Sequence, residues 1–119
     1  MLTHDQIANM RRDYAGQPLD ESHVAKNPFE QFDHWFDAAV KADCPDANAM
    51  ALATATREAT PSVRMVLIKG VDQSGLVFYT HTDSRKGSEL AQNPKAMSLF
   101  YWGPLCRQVH IEGTITPVT

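Results

Sequence analysis

Arg64-Met65-Val66-Leu67-Ile68-Lys69 is followed, after the turn-prone Asp72-Gln73-Ser74-Gly75, by a second apolar run, Leu76-Val77-Phe78-Tyr79. Two runs rich in β-branched and aromatic residues, separated by a short polar break, predict a β-hairpin. Cations bracket the first run, and the second leads through Thr80 to Ser84-Arg85-Lys86-Gly87, so two basic clusters fall close together. The pattern suits a cradle for a phosphate. Side chains alternate along a strand, so Arg64 and Lys69 point to opposite faces unless a bulge or strand end turns one of them. A bulky anion at a sheet edge or between subunits can use both. Charged strand ends reaching for water account for the same residues without a ligand.

Thr82-Asp83-Ser84 offers N-cap residues for a helix over Arg85-Lys86-Gly87-Ser88-Glu89-Leu90-Ala91-Gln92, and Asn93-Pro94 stops it. A helix N-terminus carries exposed N–H donors and partial positive charge, which favours acids in the first turn. Arg85 and Lys86 at that place make sense beside a bound phosphate, and equally as solvated surface residues.

Upstream, Ile7, Met10, Arg11 and Tyr14 recur at helical spacing until residues 16–22 break the pattern, so residues 1–26 read as an N-terminal arm with a short helix. Asn27-Pro28-Phe29-Glu30 supplies an N-cap, a proline at the first helical position and a glutamate in capping-box register. Phe29, Phe32, Phe36, Ala39 and Val40 then form one apolar face, expected to pack on a sheet rather than to serve as a cofactor box. Ala49-Met50-Ala51-Leu52-Ala53-Thr54-Ala55-Thr56 reads as the first strand, its small side chains admitting close approach by a helix or a flat ligand. Residues 97–102 and 107–115 read as strands separated by Gly103-Pro104. The expected order is helix, helix, three strands, helix, two strands. That order predicts an α+β fold, mainly antiparallel, with residues 27–119 forming a sheet that curls toward a barrel beside flanking helices.

The 119 residues suit one domain, able to bury roughly 65% of its unfolded surface. A net charge of −3 gives no general attraction for nucleic acid or anionic membranes. The N-terminus shows no signal-peptide core and no stretch is long enough to span a bilayer, so a cytoplasmic protein is expected. Cys44 and Cys106, far apart in sequence, read as free, buried thiols in a reducing compartment. No G-x-S-x-G, H-E-x-x-H, G-x-x-x-x-G-K-[ST] or G-x-G-x-x-G occurs, which removes support from hydrolase and nucleotide-triphosphatase readings. The five histidines are scattered without ligand spacing, so no metal site is expected, and His110 beside Glu112 reads as part of a polar strand face.

Taken together with Phe78-Tyr79-Thr80, Ser84-Arg85-Lys86-Gly87, Asn93-Pro94, Phe100-Tyr101-Trp102 and Arg107-Gln108-Val109, the run at 64–69 resembles the pyridoxine (pyridoxamine) 5′-phosphate oxidase family. Arg11-Arg12-Asp13-Tyr14, Asn27-Pro28-Phe29 and Ala47-Asn48-Ala49-Met50 extend the resemblance over nearly the whole chain. It implies an FMN-binding split β-barrel and a homodimer with flavin at the subunit interface. It also implies oxidation of pyridoxine or pyridoxamine 5′-phosphate to pyridoxal 5′-phosphate by molecular oxygen. Carried over by motif, Arg64, Met65, Val66, Leu67, Ile68 and Lys69 line the FMN, with Arg64 toward its phosphate. Tyr79 and Thr80 hold the flavin edge, Gln108 contacts the ring, and Ser84 joins Arg85 and Lys86, which bind the phosphate. Lys69 also reaches the substrate phosphate, and Arg11, Arg12, Asp13 and Tyr14 resemble the arm that covers substrate. No protein nucleophile is implied, because a hydride equivalent passes from the substrate to flavin and then to oxygen. Family members continue for about as long again beyond the strand at residues 107–115. The barrel is therefore expected to be incomplete here, with an open sheet edge, folding retained and full turnover lost. Another FMN-binding split-barrel reductase or flavin carrier is the alternative implied.

Overall fold

Strand β1 (Ala49–Ala55) lies at the centre of a five-stranded antiparallel sheet in the computed structural model, which describes residues 1–11 and 18–118. On one side β1 pairs with β2 (Pro61–Asp72), which pairs with β3 (Gly75–Phe78). On the other it pairs with β4 (Lys95–Trp102), and β4 with β5 (Arg107–Thr114). Three α-helices are present among the described residues: α1 (His4–Ala8), α2 (Pro28–Lys41) and α3 (Arg85–Gln92), the last crossing from β3 to β4. The expected order of elements is observed, and the sheet forms one half of a barrel with β3 and β5 at its edges.

The β2–β3 hairpin turns where the polar break predicts. The Asp72 carboxylate accepts from the Ser74 N–H at 2.7 Å and the Gly75 N–H at 3.2 Å, and Gly75 takes φ 142°, a conformation that side chains disfavour. Ile68 stands opposite Phe78 and Gly70 opposite Val77, so Lys69 is the extra residue of a bulge.

Alternation divides the sheet into two unlike faces. Met50, Leu52 and Thr54 of β1 share the inner face with Ser62, Arg64, Val66 and Ile68 of β2 and with Ser98, Phe100 and Trp102 of β4. On the outer face the alanines of β1 lie between Val63, Met65 and Leu67 on one side and Met97, Leu99 and Tyr101 on the other. Helix α2 covers the apolar end of the inner face, where Phe32 meets Phe100 and Trp102 at ring-centroid distances of 5.1 and 5.9 Å. The Trp102 indole N–H donates to the Ala47 carbonyl at 3.0 Å, which satisfies the one polar atom of that ring. Phe32 and Phe36 of the α2 stripe thus belong to the packed core rather than to a cofactor box.

Four expectations are corrected. The first helix ends at Ala8, with Ile7 and Met10 exposed. Five residues held by a Thr3–Gln6 capping box bury nothing, so nothing propagates the helix further. On α2, Phe29 and Val40 are exposed, and the packed face runs through Phe32, Trp35, Phe36 and Ala39, because the sheet meets only that arc. Asn27 caps α2 by accepting from the Phe29 N–H at 2.8 Å, but the return bond comes from Gln31, which accepts from the Ala25 N–H at 2.6 Å. Cys44 is buried as expected, whereas Cys106 is only half-buried, in the left-handed turn (φ 54°) between β4 and β5. Among the described residues no helix is long and apolar enough to cross a membrane.

Candidate functional site

Ser84 builds the N-terminus of α3 and ties it to the segment leaving β3. Its hydroxyl accepts from the Gly87 N–H at 3.0 Å and donates to the His81 carbonyl at 2.7 Å, while its own N–H donates to the same carbonyl at 3.2 Å. Gly87 is required by this packing: a Cβ there would lie 2.5 Å from the Thr82 carbonyl oxygen and 2.6 Å from that of His81. The Lys86 ammonium donates to the Thr80 hydroxyl, which places the end of the hairpin beside the first turn of the helix.

Beneath that turn lies a buried carboxylate that ties both basic clusters to the sheet. Glu89 Oε1 accepts from Arg85 Nε at 3.1 Å, and Oε2 lies 3.5 Å from Arg64 Nη2. Oε2 also accepts from Ser62 Oγ at 2.6 Å and from the Thr54 hydroxyl. Arg64 completes its own set with Nη1 donating to the Leu52 carbonyl at 2.9 Å and to Thr54 Oγ1 at 2.7 Å. The Ser62 and then the Thr54 hydroxyl favour the charged form of Glu89. Arg85 adds to this against the opposing effect of burial, and together they hold the carboxyl at about 2, below its ordinary 4.5.

The hairpin and α3 bring Arg64, Thr80, Ser84, Arg85 and Lys86 together. Arg64, Arg85 and Lys86 against Glu89 leave two net positive charges, a match for a phosphate monoester near neutral pH. The six residues from 64 to 69 do not share a face: the side chains of Arg64, Val66 and Ile68 are inward, whereas Met65, Leu67 and Lys69 are exposed. Tyr79 is exposed just beyond β3, and Gln108 lies exposed on the outer face, opposite Tyr101. His110 and Glu112 share that face as a polar edge. Arg11 is exposed within the arm, and Arg12, Asp13 and Tyr14 lie outside the described residues.

Glu89, Thr54 and Ser62 escape the reading of motifs. The i,i+4 spacing of Arg85 and Glu89 is a signal for that pair. The contacts of Glu89 with Thr54, Ser62 and Arg64 depend on strand register and on where α3 lands.

Residues 36–119 match the sequence profile of the family described as pyridoxamine 5′-phosphate oxidase. A pyridoxine/pyridoxamine 5′-phosphate oxidase of Paraburkholderia phymatum is 56% identical over 109 residues, 92% of this chain and 51% of that protein. One of Acaryochloris marina is 50% identical over 117 residues, 98% of this chain and 53% of that protein. The chain thus spans about half the length of the curated relatives it matches. Among solved structures, PhzG from Burkholderia lata in complex with tetrahydrophenazine-1-carboxylic acid superposes with TM-score 0.82 at 31% identity, over 87% of this chain and 52% of that one. A pyridoxamine 5′-phosphate oxidase-related, FMN binding protein from Nostoc punctiforme shares the fold, with TM-score 0.65 at 21% identity over 78% of this chain and 48% of that one. The split-barrel architecture is common to them.

Proposed function

Because the chain belongs to the pyridoxamine 5′-phosphate oxidase family, we propose that it takes part in the FMN-dependent oxidation of pyridoxine or pyridoxamine 5′-phosphate to pyridoxal 5′-phosphate by molecular oxygen. The observation that carries this reading is the placing of Arg85 and Lys86 in the first turn of α3 after its Ser84 cap, with Arg64 tied to the same helix through Glu89, a charge suited to the flavin phosphate. Bound flavin supplies the acceptor for a hydride equivalent and its passage to oxygen. The protein's part is placement. Ser84, Arg85 and Lys86 hold the phosphate with Arg64 behind them. Tyr79, Thr80 and Gln108 contact the flavin, the strand from Met65 to Lys69 runs along it, and Lys69 reaches the substrate phosphate. Arg11, Arg12, Asp13 and Tyr14 cover the substrate.

A homodimer belongs to the same reading, supported by the apolar outer face, where Val63, Met65 and Tyr101 are each about two-thirds exposed. So does a cytoplasmic setting, supported by a sequence with only two cysteines, Cys44 and Cys106, too few and too far apart for a disulfide framework. A second reading, another FMN-binding split-barrel reductase or flavin-binding protein without this oxidase activity, is favoured by the similarity to PhzG, whose structure holds tetrahydrophenazine-1-carboxylic acid.

The test is to titrate FMN into the full chain, following flavin fluorescence, and then to supply pyridoxamine 5′-phosphate and oxygen while assaying pyridoxal 5′-phosphate and hydrogen peroxide. Saturable quenching with product formation is the expected result. Quenching without product supports the second reading, and no quenching contradicts both.

A further inference from the structure

We propose that Glu89 is a positioning residue for the flavin phosphate: buried beneath the first turn of α3, it holds the guanidinium groups of Arg64 and Arg85 on its two carboxylate oxygens and so sets the aim of Arg85. The inference rests on the flavin-phosphate reading above and assigns a role to a residue outside the set expected to touch ligand.

The geometry carries it in three steps. Glu89 is 3% exposed, so it acts through its neighbours. Its Oε1 binds Arg85 at Nε, and the Arg85 side chain is otherwise 69% exposed, which leaves the end of the fork open to an anion. Its Oε2 is seated by Ser62 Oγ and Thr54, both on the rigid inner face and both shared with Arg64. The carboxylate is therefore fixed from the sheet side and transmits that position to a long surface side chain, which otherwise loses rotamer entropy on meeting a ligand.

Two physical accounts of Glu89 predict opposite signs. A carboxylate acting only through its charge repels a dianionic phosphate, so removing the charge strengthens binding. A positioning carboxylate weakens phosphate binding when removed, because Arg85 is released. The experiment uses the full chain and two ligands with the same ring system, FMN and riboflavin, which differ by the phosphate.

Glu89→Gln is expected to bind FMN about tenfold more weakly while its riboflavin affinity stays within about twofold of the parent. Glu89→Asp keeps the charge, is too short to span both arginines, and is expected to show the same change in ratio, which covers the case of a poorly folded Glu89→Gln. Arg85→Ala is expected to weaken FMN binding in the parent and to add little in the Glu89→Gln background, since both act through one contact. FMN bound as tightly or more tightly by Glu89→Gln, equal losses for both flavins, or a full additive loss in the double variant overturns the proposal. A parent chain with no preference for FMN over riboflavin overturns the phosphate reading itself, before any substitution is made.

Discussion

Helix α2 meets the sheet through aromatic rings, whereas α3 meets the same inner face through a carboxylate. At the α2 end, Phe32, Phe100 and Trp102 are almost wholly removed from water and in mutual ring contact. At the α3 end, Glu89 is buried just as deeply but is surrounded by Thr54, Ser62, Arg64 and Arg85. Apolar burial is favourable without direction, whereas a buried ion pair roughly breaks even after desolvation and holds its groups at fixed angles. The first end stabilises the half-barrel and the second orients cations.

The comparison can be broken at several points. Phe100→Ala, at the aromatic end, is expected to cost about 3–5 kcal/mol, read as a lower urea midpoint at unchanged slope. An unchanged midpoint means that the aromatic cluster is not the core. Gly87→Ala, at the cradle, is expected to cost about 1–3 kcal/mol by driving a methyl group into the His81 and Thr82 carbonyls, and to weaken FMN binding as the loop shifts. Gly113→Ala is the control, since nothing lies within 4 Å of a Cβ there. Asn27→Ala removes the cap of α2 and should cost about 1 kcal/mol with no effect on flavin affinity, which separates the two ends cleanly.

The last comparison is read as a change across acid pH. Glu89 has its carboxyl at about 2 in the folded chain against an ordinary 4.5. Because the folded value is depressed, its contribution is fully present above about 4.5 and is lost as pH falls toward about 2. Urea midpoints measured across that window should fall more steeply for the parent than for Glu89→Gln. Parallel curves contradict the buried network.

Much of the fold is legible in the sequence because its signals are local. The hairpin follows from Asp72 to Gly75 between two apolar runs, the start of α2 from Asn27-Pro28, and the start of α3 from Ser84. Less legible is what depends on which arc meets the sheet: Phe29 and Val40 fit the helical stripe but lie beyond the covered surface. In the site, the cations stand out because clustered charge is rare next to apolar strands. Their anchor does not, since Glu89 looks like any polar helix residue until register sets Thr54 and Ser62 opposite each other beside it. The bulge at Lys69 is likewise a product of β2–β3 pairing and leaves no mark in the run itself.

The measurement that bears most directly on the account is a calorimetric titration of the full chain with FMN and, in parallel, with riboflavin at the same salt concentration. A cradle built for a phosphate predicts saturable FMN binding and riboflavin binding weaker by at least about tenfold, the worth of one or two charge-assisted hydrogen bonds. Equal affinity for the two flavins, or no heat with either, contradicts it.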